Sequence, residues 1–209
     1  MARPELDFIH RWVPPAEAAP PFTLLLLHGT GGDEADLLPL AQAVAPGLSM
    51  VSPRGKVLEA GRPRFFRRLA EGVFDVEDVK LRAHELADFV QAASARYRFD
   101  AGRVVAFGYS NGANIAAAVL LLRPETLAGA VLLRPMVPIE PETPPDLAGK
   151  RVLLLSGILD PIVAPEQPQR LAQLLRNAGA DVTLNWTDSG HQPGAEDLEA
   201  ARHWLTGLR

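Results

Sequence analysis

Six short segments of this chain read as strands, and most of them are apolar without interruption: Phe22 to His28, Met50 to Pro53, Val104 to Tyr109, Gly129 to Leu133, Val152 to Ser156 and Val182 to Trp186. A strand with one face in water alternates apolar and polar side chains, whereas a strand covered on both faces does not. The segments therefore require a parallel sheet held between layers of helix. Longer amphipathic stretches alternate with them. Glu34 to Val44 sets Leu37, Leu38, Leu40, Ala41 and Val44 on one face, with Asp33 placed to cap the first turn. Asp78 to Tyr97 sets Leu81, Leu86, Phe89 and Val90 to one side and keeps Lys80, Arg82, Glu85 and Asp88 solvated. Asn111 to Leu122 is apolar nearly all round and reads as a buried central helix. Glu166 to Asn177, stopped at Gly179, and Glu196 to Leu208 complete the series. Such alternation gives right-handed crossovers and a doubly wound, mostly parallel α/β sheet with helices on both faces, whose ligands sit beyond the C-terminal strand ends. Asp7 to Val13 alternates better and fits an edge strand.

The 209 residues, at 47% hydrophobic and 22% charged, are read as one globular domain with room for a core and a pocket. Basic and acidic side chains number 21 and 25, a net charge of −4, so no nucleic-acid partner is expected. Cysteine is absent, which removes disulfide staples, thiolate metal sites and a Cys nucleophile together. Glu5 and Asp7 stand where a signal peptide needs an apolar stretch, and the longest apolar run, Ile115 to Leu122, is too short to cross a bilayer. The expectation is a soluble cytoplasmic protein without membrane insertion.

Chemistry concentrates at four places. Gly108-Tyr109-Ser110-Asn111-Gly112 follows a buried strand directly and opens an apolar helix, the context that a G-x-S-x-G nucleophile elbow needs. The serine of such a turn takes a strained backbone conformation, and a glycine two residues to each side lets strand and helix approach. A serine is a weak nucleophile without a general base held by a third group. Of five histidines, His10 lies before the sheet, His84 on a solvated helix face and His203 in the last helix, while His191 follows the last strand and stands at the strand-end rim. The orienting carboxylate comes between nucleophile and base in chains of this topology, and Asp160, just beyond Val152 to Leu155 and followed by Pro161, fits best. Asp188 competes but sits too near His191 in the chain to reach its far ring nitrogen. His28-Gly29-Thr30-Gly31-Gly32-Asp33-Glu34 ends the first long strand; Asp33 and Glu34 would repel phosphate, whereas the Thr30 and Asn111 N–H groups suit an oxyanion hole. His28 reads as a brace for that loop.

Taken together, Leu27-His28-Gly29-Thr30-Gly31-Gly32, Gly108-Tyr109-Ser110-Asn111-Gly112-Ala113-Asn114, Ser156-Gly157-x-x-Asp160-Pro161-Ile162-Val163 and Gly190-His191 resemble the α/β-hydrolase superfamily. More narrowly the chain resembles its phospholipase/carboxylesterase branch, small lidless esterases related to acyl-protein thioesterases. The resemblance implies an α/β-hydrolase fold without a large lid domain and a Ser110, Asp160, His191 triad. It also implies a small-molecule ester substrate, no metal or organic cofactor, and a capacity for homodimers. Thioesterase-type members carry Gln directly after the nucleophile where this chain has Asn111. Pro63 to Asp75 also resembles the subgroup of hydroquinone-linked hydrolases, where the matching segment lies near the pocket mouth. Dienelactone hydrolases use a Cys nucleophile and are excluded.

Two segments interrupt the alternation. Arg62, Arg64, Phe65, Phe66, Arg67 and Arg68 crowd together; the pattern reads first as a solvated helix face with apolar residues behind it, and second as a grip on an anionic or aromatic substrate. Arg134 to Pro145 carries five prolines and reads as a stiff surface excursion. On the second reading the substrate pocket takes in Arg64, Phe65 and Phe66, with Met136 and Ile162 at the same rim. The function expected is serine carboxylesterase action on small or short-chain esters. Thioesterase, lysophospholipase-type or acyltransferase action, and ligand binding without catalysis on the same fold, stay open from sequence.

Overall fold

The computed structural model describes residues 6–17 and 20–208; Glu5 lies outside them. Seven strands form the main sheet: β1 (His10–Val13), β2 (Thr23–Leu27), β3 (Ser49–Pro53), β8 (Val104–Tyr109), β9 (Gly129–Leu133), β10 (Arg151–Gly157) and β11 (Asp181–Thr187). Their order is β1-β3-β2-β8-β9-β10-β11. All neighbours run parallel except β1, which pairs antiparallel with β3 at the edge. The order reverses between β2 and β3 on one side and β8 on the other, so the crevice at the C-terminal ends of β2 and β8 is where a ligand is expected.

Helices α2 (Val76–Tyr97), α3 (Asn111–Leu122) and α4 (Glu166–Asn177) cover one face, and α1 (Leu38–Val44) and α5 (Ala195–Thr206) the other. Alternation within β2 divides the core between them. Leu25 and Leu27 join α2 and α3, while Leu24 and Leu26 join α1 and α5, and all four are fully buried. The fold is that of the α/β-hydrolases, and among the described residues there is no large lid.

Four sequence expectations need correction. The helix expected from Glu34 begins only at Leu38, because Asp33 accepts from the Ala35 N–H and holds a turn, and Pro39 belongs in a first turn. His10 does not precede the sheet but opens β1, bonded to Phe8 O and the Tyr97 hydroxyl. The arginine cluster is not a helix face: it lies on two small hairpins, β4 (Val57–Glu59) with β5 (Arg62–Arg64), and β6 (Arg68–Ala70) with β7 (Val73–Phe74). Strands of two or three residues are too short to display a period. The segment after β9 is no surface excursion at its start, since Arg134, Pro135, Pro138 and Ile139 are buried.

The turn from β8 into α3 is the tightest junction in the sheet. Ser110 has φ 51° and ψ −113°, conformations open to an L-residue only at a cost. A methyl on Gly112 would overlap the backbone carbonyls of Leu27 and His28, and one on Gly108 would lie 2.6 Å from Gly112 O. We expect Gly112→Ala to destabilise the fold by about 1–3 kcal/mol, lowering Tm by roughly 3–10 °C, as followed by thermal melts.

Candidate active site

Three side chains meet at the C-terminal ends of the strands. Ser110 stands at the apex of the turn after β8, its N–H bonded to Leu133 O. His191 lies in the loop between β11 and α5, and Asp160 in the loop after β10. The distance from His191 Nε2 to Ser110 Oγ is 3.0 Å and from His191 Nδ1 to Asp160 Oδ2 is 2.8 Å. A carboxylate can only accept, so Nδ1 carries the proton and Nε2 is free to accept from the serine hydroxyl. The second oxygen of Asp160, Oδ1, accepts from the Ile162 and Val163 N–H groups at 2.8 and 3.1 Å. That explains the local sequence: Pro161 turns the chain so that the next two N–H groups point back at the carboxylate. The Asp160 side chain is 2% exposed and that of His191 16%.

Thr30 and Asn111 flank the serine. Among the described residues neither backbone N–H has an acceptor in the protein. The Thr30 loop is held by His28, which donates from Nδ1 to Gly29 O at 2.7 Å and accepts from the Gly55 N–H at Nε2, 2.9 Å away. Burial lowers the His28 pKa from its ordinary value, against the hydrogen bond to Gly29. The imidazole is thus a neutral brace, and it takes no part in the serine's network.

Thr30, Arg64, Ser110, Asn111, Met136, Ile162 and His191 line one cavity of about 360 Å³, together with Arg62, Arg68, Glu71, Gly72, Phe74, Tyr109, Asn114 and Gln192. Phe65 and Phe66 do not line it. Both are buried in the core, Phe65 with its ring 4.7 Å from that of His28 and Phe66 edge-on to Phe74. Arg64 ends β5 and faces the cavity, while Phe65 and Phe66, in the bend that follows the strand, both turn into the core. A cavity of about 420 Å³ lies at the opposite end of the sheet, among Trp12, Tyr97, Phe99 and Arg103, away from all three groups.

Sequence reasoning missed three side-chain roles, that of Asn111 among them although its N–H was expected in the oxyanion hole. Asn111 and Asn114 act through their side chains: Asn111 Oδ1 accepts from the Phe65 N–H and Asn114 Oδ1 from the Met136 N–H, each at 2.7 Å. One helix turn thereby anchors both the arginine hairpins and the proline-rich segment beside Ser110. The third is Arg134, at φ 57° and with its side chain fully buried. Its guanidinium donates to Gly190 O, Leu155 O, Ser189 Oγ and both oxygens of Asp197, the last at 2.7 and 3.0 Å. Asp197 in turn accepts from the Gly194 N–H and the Thr187 hydroxyl. The loop carrying His191 is wrapped around this pair. Its only sequence signal was an arginine directly after an apolar strand.

A family model for phospholipases and carboxylesterases matches residues 10–208. The chain belongs to the phospholipase/carboxylesterase family. MhqD of Bacillus subtilis (strain 168), whose name assigns it to the hydrolases, is 48% identical over 181 residues, 87% of this chain and 90% of its own. The crystal structure of a Bacillus cereus carboxylesterase superposes with a TM-score of 0.93 at 46% identity, covering 97% of this chain and 95% of that one. A carboxylesterase from Mesorhizobium loti gives 0.88 at 35% identity, with coverage of 96% and 95%. This member of the family is a hydrolase.

Burial works against the charged form of Asp197, yet the bonds from Arg134, Gly194 and Thr187 prevail and hold its carboxyl below the usual carboxylate range. A depressed folded-state pKa contributes stability that is present above the unfolded value of about 3.9 and lost as pH falls below it. Arg134→Met should cost about 3–5 kcal/mol at neutral pH by leaving Asp197 buried without its partner. Urea unfolding should find the double variant Arg134→Met/Asp197→Leu more stable than that single variant.

Proposed function

We propose that this hydrolase is a serine carboxylesterase acting on small or short-chain carboxylic esters through an acyl-enzyme. The observation that carries the reading is the unbroken line of hydrogen bonds from Ser110 through His191 to Asp160, at 3.0 and 2.8 Å. Ser110 Oγ attacks the ester carbonyl while His191 Nε2 takes its proton. Asp160 keeps the imidazole in the tautomer that can accept and stabilises the imidazolium. The Thr30 and Asn111 N–H groups, both without protein acceptors, receive the oxyanion, aided by the N-terminus of α3. The imidazolium then protonates the leaving alkoxide. Water enters, gives a proton to His191 and attacks the acyl-serine, and the acid departs as Ser110 regains its proton. The cavity of about 360 Å³ favours small substrates, with Arg64, Met136 and Ile162 beside the reacting centre. Tyr109, whose phenol is pushed up by burial, stays protonated on the same wall.

A fluorophosphonate probe should add one adduct mass to the wild type and none to Ser110→Ala. Hydrolysis of p-nitrophenyl acetate and butyrate should fall about 10⁶-fold in Ser110→Ala and about 10⁴-fold in Asp160→Asn. The wild-type rate should decline on the acid side, because an imidazolium cannot accept the serine proton. A folded wild type that takes no adduct and turns over neither ester would overturn the reading in favour of ligand binding.

A further inference from the structure

One wall of the cavity is basic. Arg62, Arg64 and Arg68 line it beside Thr30 and Ser110, and the acidic groups facing them are Glu59 and Glu71. Glu59 bonds Arg68 at 2.8 Å and comes within only 3.5 Å of Arg64. Arg62 has no acidic partner among the described residues; its one bond is a 3.5 Å contact from Nη2 to Thr30 O. Arg64 is 3% exposed. Its Nε donates to Phe66 O and its Nη1 to Thr30 Oγ1, while Nη2 bonds nothing in the protein and is not among the side-chain nitrogens sealed from solvent. Three guanidinium groups thus stand against two carboxylates, with an excess of one positive charge at the cavity. Taking a guanidinium out of water without a close counter-ion is unfavourable, and burial together with the neighbouring Arg68 presses Arg64 down from its ordinary pKa.

The wall is built onto the reacting centre. The Gly31 N–H bonds Pro63 O, Arg64 bonds the Thr30 side chain, and Asn111 Oδ1 holds the Phe65 N–H. These ties are to the loops whose N–H groups face the oxyanion. On the esterase reading, the leaving alcohol departs toward His191, which protonates it, and the acyl part is assigned to the wall away from His191, where the arginines stand. We infer that the arginine wall binds a carboxylate on the acyl part of the ester, making half-esters of short dicarboxylic acids the preferred substrate class. An excess of one charge matches a monoanion better than a phosphate, and planar guanidinium forks match a carboxylate. Phe74, Met136 and Ile162 supply apolar surface for the methylenes between the two functions.

The proposal rests on the esterase reading, and the test separates them. Hydrolysis of monoethyl succinate, glutarate and adipate is compared with that of ethyl esters in which isopropyl replaces the carboxylate. In the wild type kcat/KM should favour the best half-ester over its neutral counterpart by about tenfold or more. The advantage should shrink in 0.5 M salt and fall about 3–10-fold in Arg62→Gln and in Arg68→Gln, mainly through KM. Arg62→Lys should restore part of it. A wild-type ratio at or below one, or a ratio indifferent to both Gln variants, overturns the arginine wall as an anion site. A gain seen only with the carboxylate on the alcohol part, as in O-butyrylglycolate, overturns the acyl-side assignment. If the neutral ester is hydrolysed and Ser110→Ala abolishes it, such failures touch this inference alone. If no ester turns over, the esterase reading fails first.

Discussion

The contact of Gly112 with the carbonyls of Leu27 and His28 fixes the rest of the site. It sets how closely the start of α3 approaches the end of β2. That distance is also the one between the Thr30 loop and the turn bearing Ser110. A side chain at residue 112 would push the two apart, and with them Thr30 and Ser110. The positive φ of Ser110 belongs to the same constraint. A relaxed serine would let the chain leave β8 at a shallower angle, and the hydroxyl would not stand clear of the strand ends.

The other half of the site depends on a different kind of contact. His191 and Asp160 lie on separate loops, and neither loop is regular. They are stitched together by Ile158 N–H to Thr187 O and Leu159 N–H to Ser189 O, and anchored from below by Arg134 and Asp197. Arg134 fans its guanidinium into the 189–197 segment, where a lysine could satisfy at most three acceptors and could not match the Asp197 carboxylate in a plane. A buried ion pair is weak support for stability as such. Here its directional bonds restrict a loop whose backbone has few partners of its own, which is where a fixed imidazole position is hardest to obtain from apolar packing.

What the sequence made legible follows the range over which each signal acts. The inner strands were readable because burial on both faces removes alternation within a single segment, the edge strand β11 because it alternates, and the parallel sheet with its C-terminal rim followed from their spacing. Ser110, Asp160 and His191 could be singled out because each sits one short turn beyond a strand, whatever the loops do afterwards. Arg134 and Asn114 could not, since their partners lie 21 to 63 and 22 residues away and nothing local distinguishes them from surface polar residues. Helix α1 was overextended because Asp33 offers the same oxygen to a cap and to a turn, and only the path of the chain decides which donor it meets. Phe65 and Phe66 were assigned with Arg64 because they adjoin it in sequence, whereas the bend after β5 turns both rings into the core and leaves Arg64 at the cavity.

That division also changes how the arginines are to be understood. On a solvated helix they would be interchangeable charges, screened by salt and free to move. On hairpins tied to Thr30, Asn111 and Glu59, Arg64 and Arg68 are fixed relative to Ser110, and Arg64 is held by backbone and hydroxyl acceptors rather than by a carboxylate at full contact. Fixed charge in a partly desolvated cavity discriminates between substrates before any bond is made. A neutral ester gains nothing from it, and a cationic one meets an unfavourable potential. On the inference drawn above, the same segment that closes one side of the cavity also filters what enters it, because the filter lies in the wall.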